Sequence, residues 1–382
     1  MNRPTRIALA LAQLGLAVWV VYALAVESFT LFLILAIATL GLPVHALLPE
    51  RWRMPFFAAL SLAGVVAALG FAGASWVAAI GAVMVGLCHL PVPWSARVAL
   101  LVAAGALLAA LRGGAIANPI PEEVWPVVGS ILMFRLALYV YHLRAKPNVR
   151  PATAVSYFAM LPNVAFPLFP IVDFKSFAES QPDDSGERLD RGVAWIVRGV
   201  FHLLLYRLVY YWVVLEPVTI RTSVELLQYV ISTFLLYLRV SGQFHIAIGV
   251  LLMFGFKLGE THRLYYLARS FTDLWRRINI YWTDFMTKLV YYPVFFRARR
   301  LGQTPALLLS TGVVFVVTWA LHDYQLFWLV GRLDITLTSL LFWALLAAMV
   351  LITTLLDLRK PKRRKLETRR WSASRALSAA GI

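Results

Sequence analysis

The chain has 382 residues, 60% of them in the hydrophobic set and 14% charged, with a formal charge of +17. Soluble domains carry about 25% charge and about 45–50% apolar residues, so these values, with a mean hydropathy of +0.74, exclude an ordinary soluble domain. The single cysteine, Cys88, excludes a disulfide framework.

Thirteen Trp, fifteen Tyr and twenty-three Phe suit a chain whose aromatic side chains anchor at two membrane interfaces. Its 36 basic residues mostly flank apolar runs, where positive charge orients a membrane protein. Nothing aromatic and periodic accompanies them, so no nucleic-acid partner is expected.

The first apolar run, 7–26, is long enough to cross about 30 Å of hydrocarbon. It exceeds the roughly 7–15 residues of a signal peptide's apolar region, and a retained helix is expected. Further runs lie at 29–48, 55–71, 75–92 and 99–111, the last short for a crossing. Beyond them come 125–141, 194–215, 226–237, 244–258, 282–296, 312–330 and 337–356. Sheet edges cannot face lipid, and barrel-type alternation is missing. The expected fold is therefore all-α and polytopic, with about 10–12 transmembrane or partly embedded helices.

Texture divides the chain into three. Residues 1–114 are helices of Ala, Leu, Val and Gly, whose small side chains favour close packing. Residues 115–357 form a membrane core in which charge enters the apolar runs: Arg135, His142, Arg198, Arg207, Glu216, Arg239, His245, Lys257, Glu260, Asp284, Lys288 and His322. Such groups face a bundle interior or a wet cavity, except near run ends, where Lys and Arg snorkel to the interface. Residues 358–382 form a basic tail; in 359–370 eight basic residues accompany one acid. The positive-inside rule makes the tail cytoplasmic, with added attraction to anionic lipid. Segment 297–300 then shares its side, and 331–334 lies opposite.

Prolines interrupt the chain at 119, 121 and 126, and again at 162, 167 and 170. Three prolines across nine residues cannot belong to a straight helix. Non-helical backbone at membrane depth needs cover from protein or a water-filled cavity. The polar stretch 178–191 reads as an exposed loop.

Chemistry concentrates in 254–293. Ser270-Phe271-Thr272-Asp273-Leu274-Trp275-Arg276-Arg277-Ile278-Asn279-Ile280 resembles the serine-x-x-aspartate-phenylalanine-tryptophan-arginine-arginine-tryptophan-histidine-isoleucine motif of the membrane-bound O-acyltransferase superfamily. Met253 to Lys257 is similar to the stretch upstream of that motif, Tyr291-Tyr292-Pro293 to its tyrosine-proline ending, and Pro170 to Phe174 to a proline-isoleucine segment. Thr318-Trp319-Ala320-Leu321-His322 falls about forty residues after the motif begins, where the family places its catalytic histidine. The motif order is nearest to bacterial members that acetylate alginate or serve D-alanylation of teichoic acid, and the resemblance covers roughly residues 125 to 350. Two departures stand out. Asn279 replaces the family's first histidine, as in the sterol and diacylglycerol acyltransferase branches. Asp323 follows His322 where a glycine is usual.

The resemblance implies helices around a catalytic tunnel in a bacterial cytoplasmic (inner) membrane. It implies transfer of an acyl group from an acyl-CoA or acyl-carrier thioester, with no tightly bound cofactor. The acceptor would be a hydroxyl on a glycan, a lipid or a small molecule, and a carrier or envelope protein would be a partner. Catalytic roles fall on His322 and Asn279; donor or acceptor binding falls on Trp275, Arg276, Arg277, Trp282 and Trp319.

The residues support this chemistry in their own right. Imidazole can take a hydroxyl proton during attack on a thioester and return it, and His322 lies near the middle of run 312–330. Asn279 cannot act as a base; it would orient a carbonyl or an oxyanion, or else cap a helix. Arg276 and Arg277 suit phosphate recognition, or the positive-inside rule alone. The tryptophans line a donor path or anchor the interface. Asp323, about 100° around a helix from His322, is not placed to orient it. His245 and His262 read as isolated, and no metal site is expected. Two rival readings are a transporter or channel, with the buried charges as its path, and an inactive envelope scaffold.

Overall fold

The computed structural model describes residues 3–129, 133–166, 170–180 and 186–359, and within them the chain is helical with no strand. Four helices open it: α1 (Arg3–Ala23), α2 (Phe29–Leu47), α3 (Glu50–Cys88) and α4 (Trp94–Arg112). Ser28 caps α2, its Oγ accepting the Leu31 N–H at 3.3 Å. Helix α3 has 39 residues, about 58 Å at 1.5 Å per residue and nearly twice the hydrocarbon thickness. A break relieves the mismatch: Gly70 takes φ +65°, a conformation open to glycine. The limbs 50–69 and 71–88 are each about 27–30 Å long, so the two expected runs survive as two halves of one broken helix.

The middle of the chain is short and irregular: α5 (Val124–Val127), α6 (Met133–Leu143), α7 (Pro151–Phe158) and α8 (Phe174–Ala178). Run 125–141 is described as α5, a π-helical pair at 128–129 and α6, with residues 130–132 between them outside the described residues. The proline-rich stretch after α7 is covered by protein, with Leu161, Pro162, Asn163, Phe166 and Ile171 all buried. Its organiser is Arg135 on α6, which is 2% exposed. The guanidinium donates to the Tyr157 carbonyl at 2.9 Å and to Asn163 Oδ1, and lies over the Tyr157 ring. Tyr157 in turn donates its hydroxyl to the Val172 carbonyl at 2.8 Å. Non-helical carbonyls thus find donors away from water, which hydrocarbon demands.

Then come α9 (Gly186–Trp212), α10 (Ser223–Leu235) and α11 (Leu238–Met253). Helices α10 and α11 run on as one 31-residue span, so runs 226–237 and 244–258 merge. The pair α9–α11 is the tightest seam. A Cβ on Gly192 would meet the Gly249 carbonyl at 2.7 Å, and one on Gly199 the Gly242 carbonyl at 2.6 Å. Both glycine pairs are seven residues apart, so two antiparallel backbones touch along one face. Close packing of this kind was expected of residues 1–114, and the core half has it too. Helix α1 lies along α9: Arg6 faces Asp190 at 3.6 Å, and Arg207 donates to the Leu24 carbonyl. Arg239 closes on Glu27 at 2.8 Å, so several of the charges in apolar runs serve as ties between helices.

The last elements are α12 (Phe271–Arg277), α13 (Ile280–Met286), a π-helical turn at Thr287–Tyr291, α14 (Tyr292–Ala298), α15 (Gln303–Val330) and α16 (Leu337–Arg359). Eight described helices are long and apolar enough to cross a membrane, an architecture of the multi-pass kind. Two pairs of runs merge, run 282–296 lies in a continuous helical stretch, 280–298, that a π-turn divides, and run 125–141 passes through residues 130–132, which lie outside the described residues. Residues 360–382, with most of the basic tail, and 181–185 of the polar loop lie outside the described residues, as do Pro167, Leu168 and Phe169 of the proline-rich stretch.

Candidate active site

Helices α12, α13 and α15, with Asn279 at the α12–α13 junction, carry the residues singled out by the sequence. Helix α12 is built by local capping. Ser270 Oγ accepts the Asp273 N–H at 3.1 Å, and Asp273 Oδ2 accepts the Arg269 N–H at 3.1 Å. One turn on, Arg277 Nε donates to Asp273 Oδ1 at 2.7 Å, the i,i+4 geometry that favours opposite charges. The Arg277 guanidinium, helped by the Arg269 N–H, holds the Asp273 carboxyl below the usual carboxylate range. Arg277 is therefore engaged within α12, while Arg276 is exposed.

Asn279 stands between α12 and α13 in the left-handed region, φ +51°, and its Oδ1 accepts the Trp282 N–H at 3.2 Å. Left-handed backbone suits Asn better than most side chains, and an Asn oxygen is a preferred N-cap. Of the roles open to Asn279, capping is the one its contacts display. The junction is braced by Thr261, whose carbonyl accepts the Ile280 N–H at 2.8 Å, and by Arg277, whose carbonyl accepts the Arg263 N–H at 3.0 Å.

This cap aims Trp282 at α15. The indole Nε1–H donates to Thr318 Oγ1 at 3.3 Å, and the ring lies 4.6 Å from His322, centroid to centroid and edge-on. Trp275 packs on Phe315 at 4.6 Å. Phe315, Thr318 and His322 recur at i, i+3 and i+7, so Trp275 of α12 and Trp282 of α13 reach one stripe of α15. Trp343 of α16 also contacts His322, at 4.6 Å between ring centroids. The imidazole thus contacts two tryptophans.

His322 Nδ1 lies 2.8 Å from the Thr318 carbonyl oxygen. A carbonyl only accepts, so Nδ1 carries the proton and neutral imidazole keeps its lone pair at Nε2. Asp323 makes no hydrogen bond to His322. It is 7% exposed, and its Oδ1 accepts from Ser339 of α16 at 3.2 Å, as the helical spacing predicts. Trp319 stands apart from the two-tryptophan clasp, and its buried Nε1 has no hydrogen-bond partner among the described residues.

Trp282, Trp275 and His322 are therefore brought to one place, with Asn279 positioning the first of them. Arg276 and Trp319 make no contact with His322 among the described residues. Sequence reasoning passed over Trp343 and Thr318 as site members, because a lone tryptophan in an apolar run carries no signal until its helix partner is known. It also took His245 and His262 as isolated. In the fold Thr261 Oγ1 lies 3.0 Å from Nδ1 of each, and His202 joins them at 5.1 Å between ring centroids. Even so, no group of three metal-ligating side chains is gathered among the described residues.

On the α8 side of α13 lies a cavity of about 440 Å³ with apolar walls at Leu138, Ile171 and Phe285 and a charged rim. Leu138, Ile171 and Phe285 also belong to the apolar cluster around Trp282, so cavity and cluster share these side chains. No family model matches the chain, and no curated protein sequence matches it.

Proposed function

We propose that the chain is a membrane-embedded O-acyltransferase. It moves an acyl group from a thioester, acyl-CoA or an acyl carrier, to a hydroxyl of a cell-envelope glycan or lipid-like acceptor. The observation that carries the reading is the tautomer of His322: Nδ1–H on the Thr318 carbonyl, Nε2 without a hydrogen-bond partner among the described residues, two tryptophans as walls. In the proposed step Nε2 takes the acceptor hydroxyl proton as oxygen attacks the thioester carbonyl. The tetrahedral intermediate then expels thiolate, and the imidazolium returns the proton to sulfur. Trp282 and Trp343 exclude water from the base; Trp275 and Trp319 border the donor path; Arg276 meets the donor's phosphates from the exposed end of α12. The motif order from Ser270 to Asn279 and the setting of His322 support the same reading. The enzyme would work in a bacterial cytoplasmic membrane with residues 358–382 on the cytoplasmic side.

The test is label transfer in membranes containing the full chain, supplied with radiolabelled acyl-CoA and acyl-carrier donors, beside His322→Ala at equal expression. Removing a general base lowers rate by about 10²–10⁴. Label reaching an endogenous glycan or lipid with the parent chain but not the variant supports the proposal. Equal labelling by both refutes the role of His322.

A further inference from the structure

The cavity on the α8 side of α13 has a charge pattern that selects a ligand class. Six charged side chains border it: Asp173, Lys257, Glu260, Arg263, Asp284 and Lys288. Four of them pair. Lys288 Nζ meets Asp173 Oδ1 at 2.9 Å and lies over the Tyr141 ring, and Arg263 Nε meets Glu260 Oε2 at 3.3 Å. Asp284 is one turn before Lys288, the spacing at which the two would normally pair, yet Lys288 is turned to Asp173. Lys257 is three residues from Glu260, whose carboxylate already faces Arg263. The side chains of Lys257 and Asp284 are left with no ion pair among the described residues, and both are exposed to the cavity. A hydrogen bond from the Tyr281 hydroxyl to the Gly259 carbonyl at 3.2 Å ties the strip 257–260 to α13, so the two charges stand on walls joined to each other.

The geometry points to a binding site for a small zwitterion, a molecule with a primary ammonium and an acid oxyanion. The ammonium would face Asp284 and the oxyanion Lys257, while the wall of Leu138, Ile171 and Phe285 takes the carbon skeleton. A cavity of about 440 Å³ lies within the range of about 300–1,000 Å³ usual for small-molecule sites. A purely anionic ligand would leave Asp284 facing it, and a purely cationic one would leave Lys257. Two sources offer this chemistry: the headgroup of an aminophospholipid at the membrane surface, or a free amino acid or amino phosphate from solution. The inference rests on the cavity alone and holds whether or not the chain transfers acyl groups.

The experiment uses the purified full chain. Native mass spectrometry counts lipid retained from mixtures of phosphatidylethanolamine and phosphatidylglycerol, and thermal unfolding is followed with added O-phosphoethanolamine or glycine. Lys257→Gln and Asp284→Asn each remove one hydrogen bond to a charged group, worth about tenfold or more in affinity. Preferential retention of phosphatidylethanolamine that falls at least tenfold in both variants establishes the lipid source. A raised melting temperature with the soluble zwitterions, absent in both variants, establishes the soluble source. Equal retention of the two lipids with no thermal shift overturns the inference, and so does binding that both variants keep. Lys257→Arg, which preserves the charge, serves as the folding control and should bind as the parent does.

Discussion

Replacing Gly199 by Ala tests the α9–α11 seam. A methyl there would lie 2.6 Å from the Gly242 carbonyl, 2.6 Å from Ile246 Cγ1 and 2.9 Å from the Ile246 nitrogen. Two of these three atoms are backbone and cannot swing aside. Reaching the ordinary contact distance of 3.4 Å means parting the helices by about 0.8 Å, and the Gly192–Gly249 contact seven residues along must open with it. Overpacking of this kind costs about 1–3 kcal/mol, whereas Ala in place of Gly in a helix gains about 0.5–1 kcal/mol. Packing wins, and a net loss of about 1–2 kcal/mol is expected. Gly15 is the control, since nothing lies within 4 Å of its added Cβ; there only the helix term acts and Ala should stabilise. Reversible unfolding in mixed micelles, with denaturing detergent as the titrant, measures both. Gly242→Ala added to Gly199→Ala should cost less than it does alone, because the helices have already separated. If Gly199→Ala is as stable as Gly15→Ala, the seam is not packed as described.

Other consequences can be checked on the same preparations. Trp282→Phe keeps a ring against His322 but loses the indole bond to Thr318, a loss of about 1 kcal/mol, while Trp282→Ala leaves a cavity worth about 3–5 kcal/mol; equal melting temperatures for the two would refute the clasp. Arg135→Gln removes the guanidinium that serves Tyr157 and Asn163, so folded yield on size exclusion should fall, with about 2–3 kcal/mol lost. Wild-type yield would show that the proline-rich stretch holds itself. Asp273 has its carboxyl pKa depressed in the fold, so its contribution is present above the unfolded value, about pH 3.9, and disappears as pH falls through the lower folded value. Stability of Asp273→Asn relative to the parent should therefore be flat from pH 8 to 5, with the gap closing only below about pH 4. A gap that closes between pH 8 and 5 would contradict the Arg277 pairing.

What the sequence displayed depended on how local the signal was. Apolar runs are local, so 7–26, 29–48, 312–330 and 337–356 reappear as α1, α2, α15 and α16. The motif from Ser270 to Arg277 is also local, and in the fold its Ser and Asp serve as a cap and an i,i+4 partner. Composition cannot say whether an apolar run is one straight helix. Run 282–296 contains the π-turn at Thr287–Tyr291 and Pro293, and its helix carries a bulge there while staying continuous from 280 to 298. Contacts between distant elements were invisible as pairs. Trp343 reaches His322 because α15 turns at Gly331, in the left-handed region at φ +85°, and brings α16 back alongside. The α9–α11 seam was legible in part, since Gly192 and Gly199, and Gly242 and Gly249, both keep a seven-residue spacing.

The partner of His322 Nδ1 bears on which donor the proposed reaction can use. A carboxylate at Nδ1, as in a Ser-His-Asp triad, stabilises the imidazolium formed when the base takes a proton. His322 has a carbonyl there instead, and the one carboxylate beside it in sequence is bound to Ser339. A neutral dipole supports imidazolium less than a full charge does, so the protonated base is a higher-energy state here. Such a base suits a leaving group that needs little help from an acid. Thiols ionise near pH 8.5, about seven units below water at 15.7, and alcohols lie close to water. A thioester can therefore expel thiolate before the proton is returned, whereas an oxygen ester would require that proton in the same step. With the same acceptor, labelled acyl-CoA should turn over while the matching ethyl ester stays inert. A variant that supplies a carboxylate at Nδ1, Thr318→Asp, would be expected to narrow the gap between the two donors, and comparable rates for both donors with the parent chain would remove this argument for a thioester.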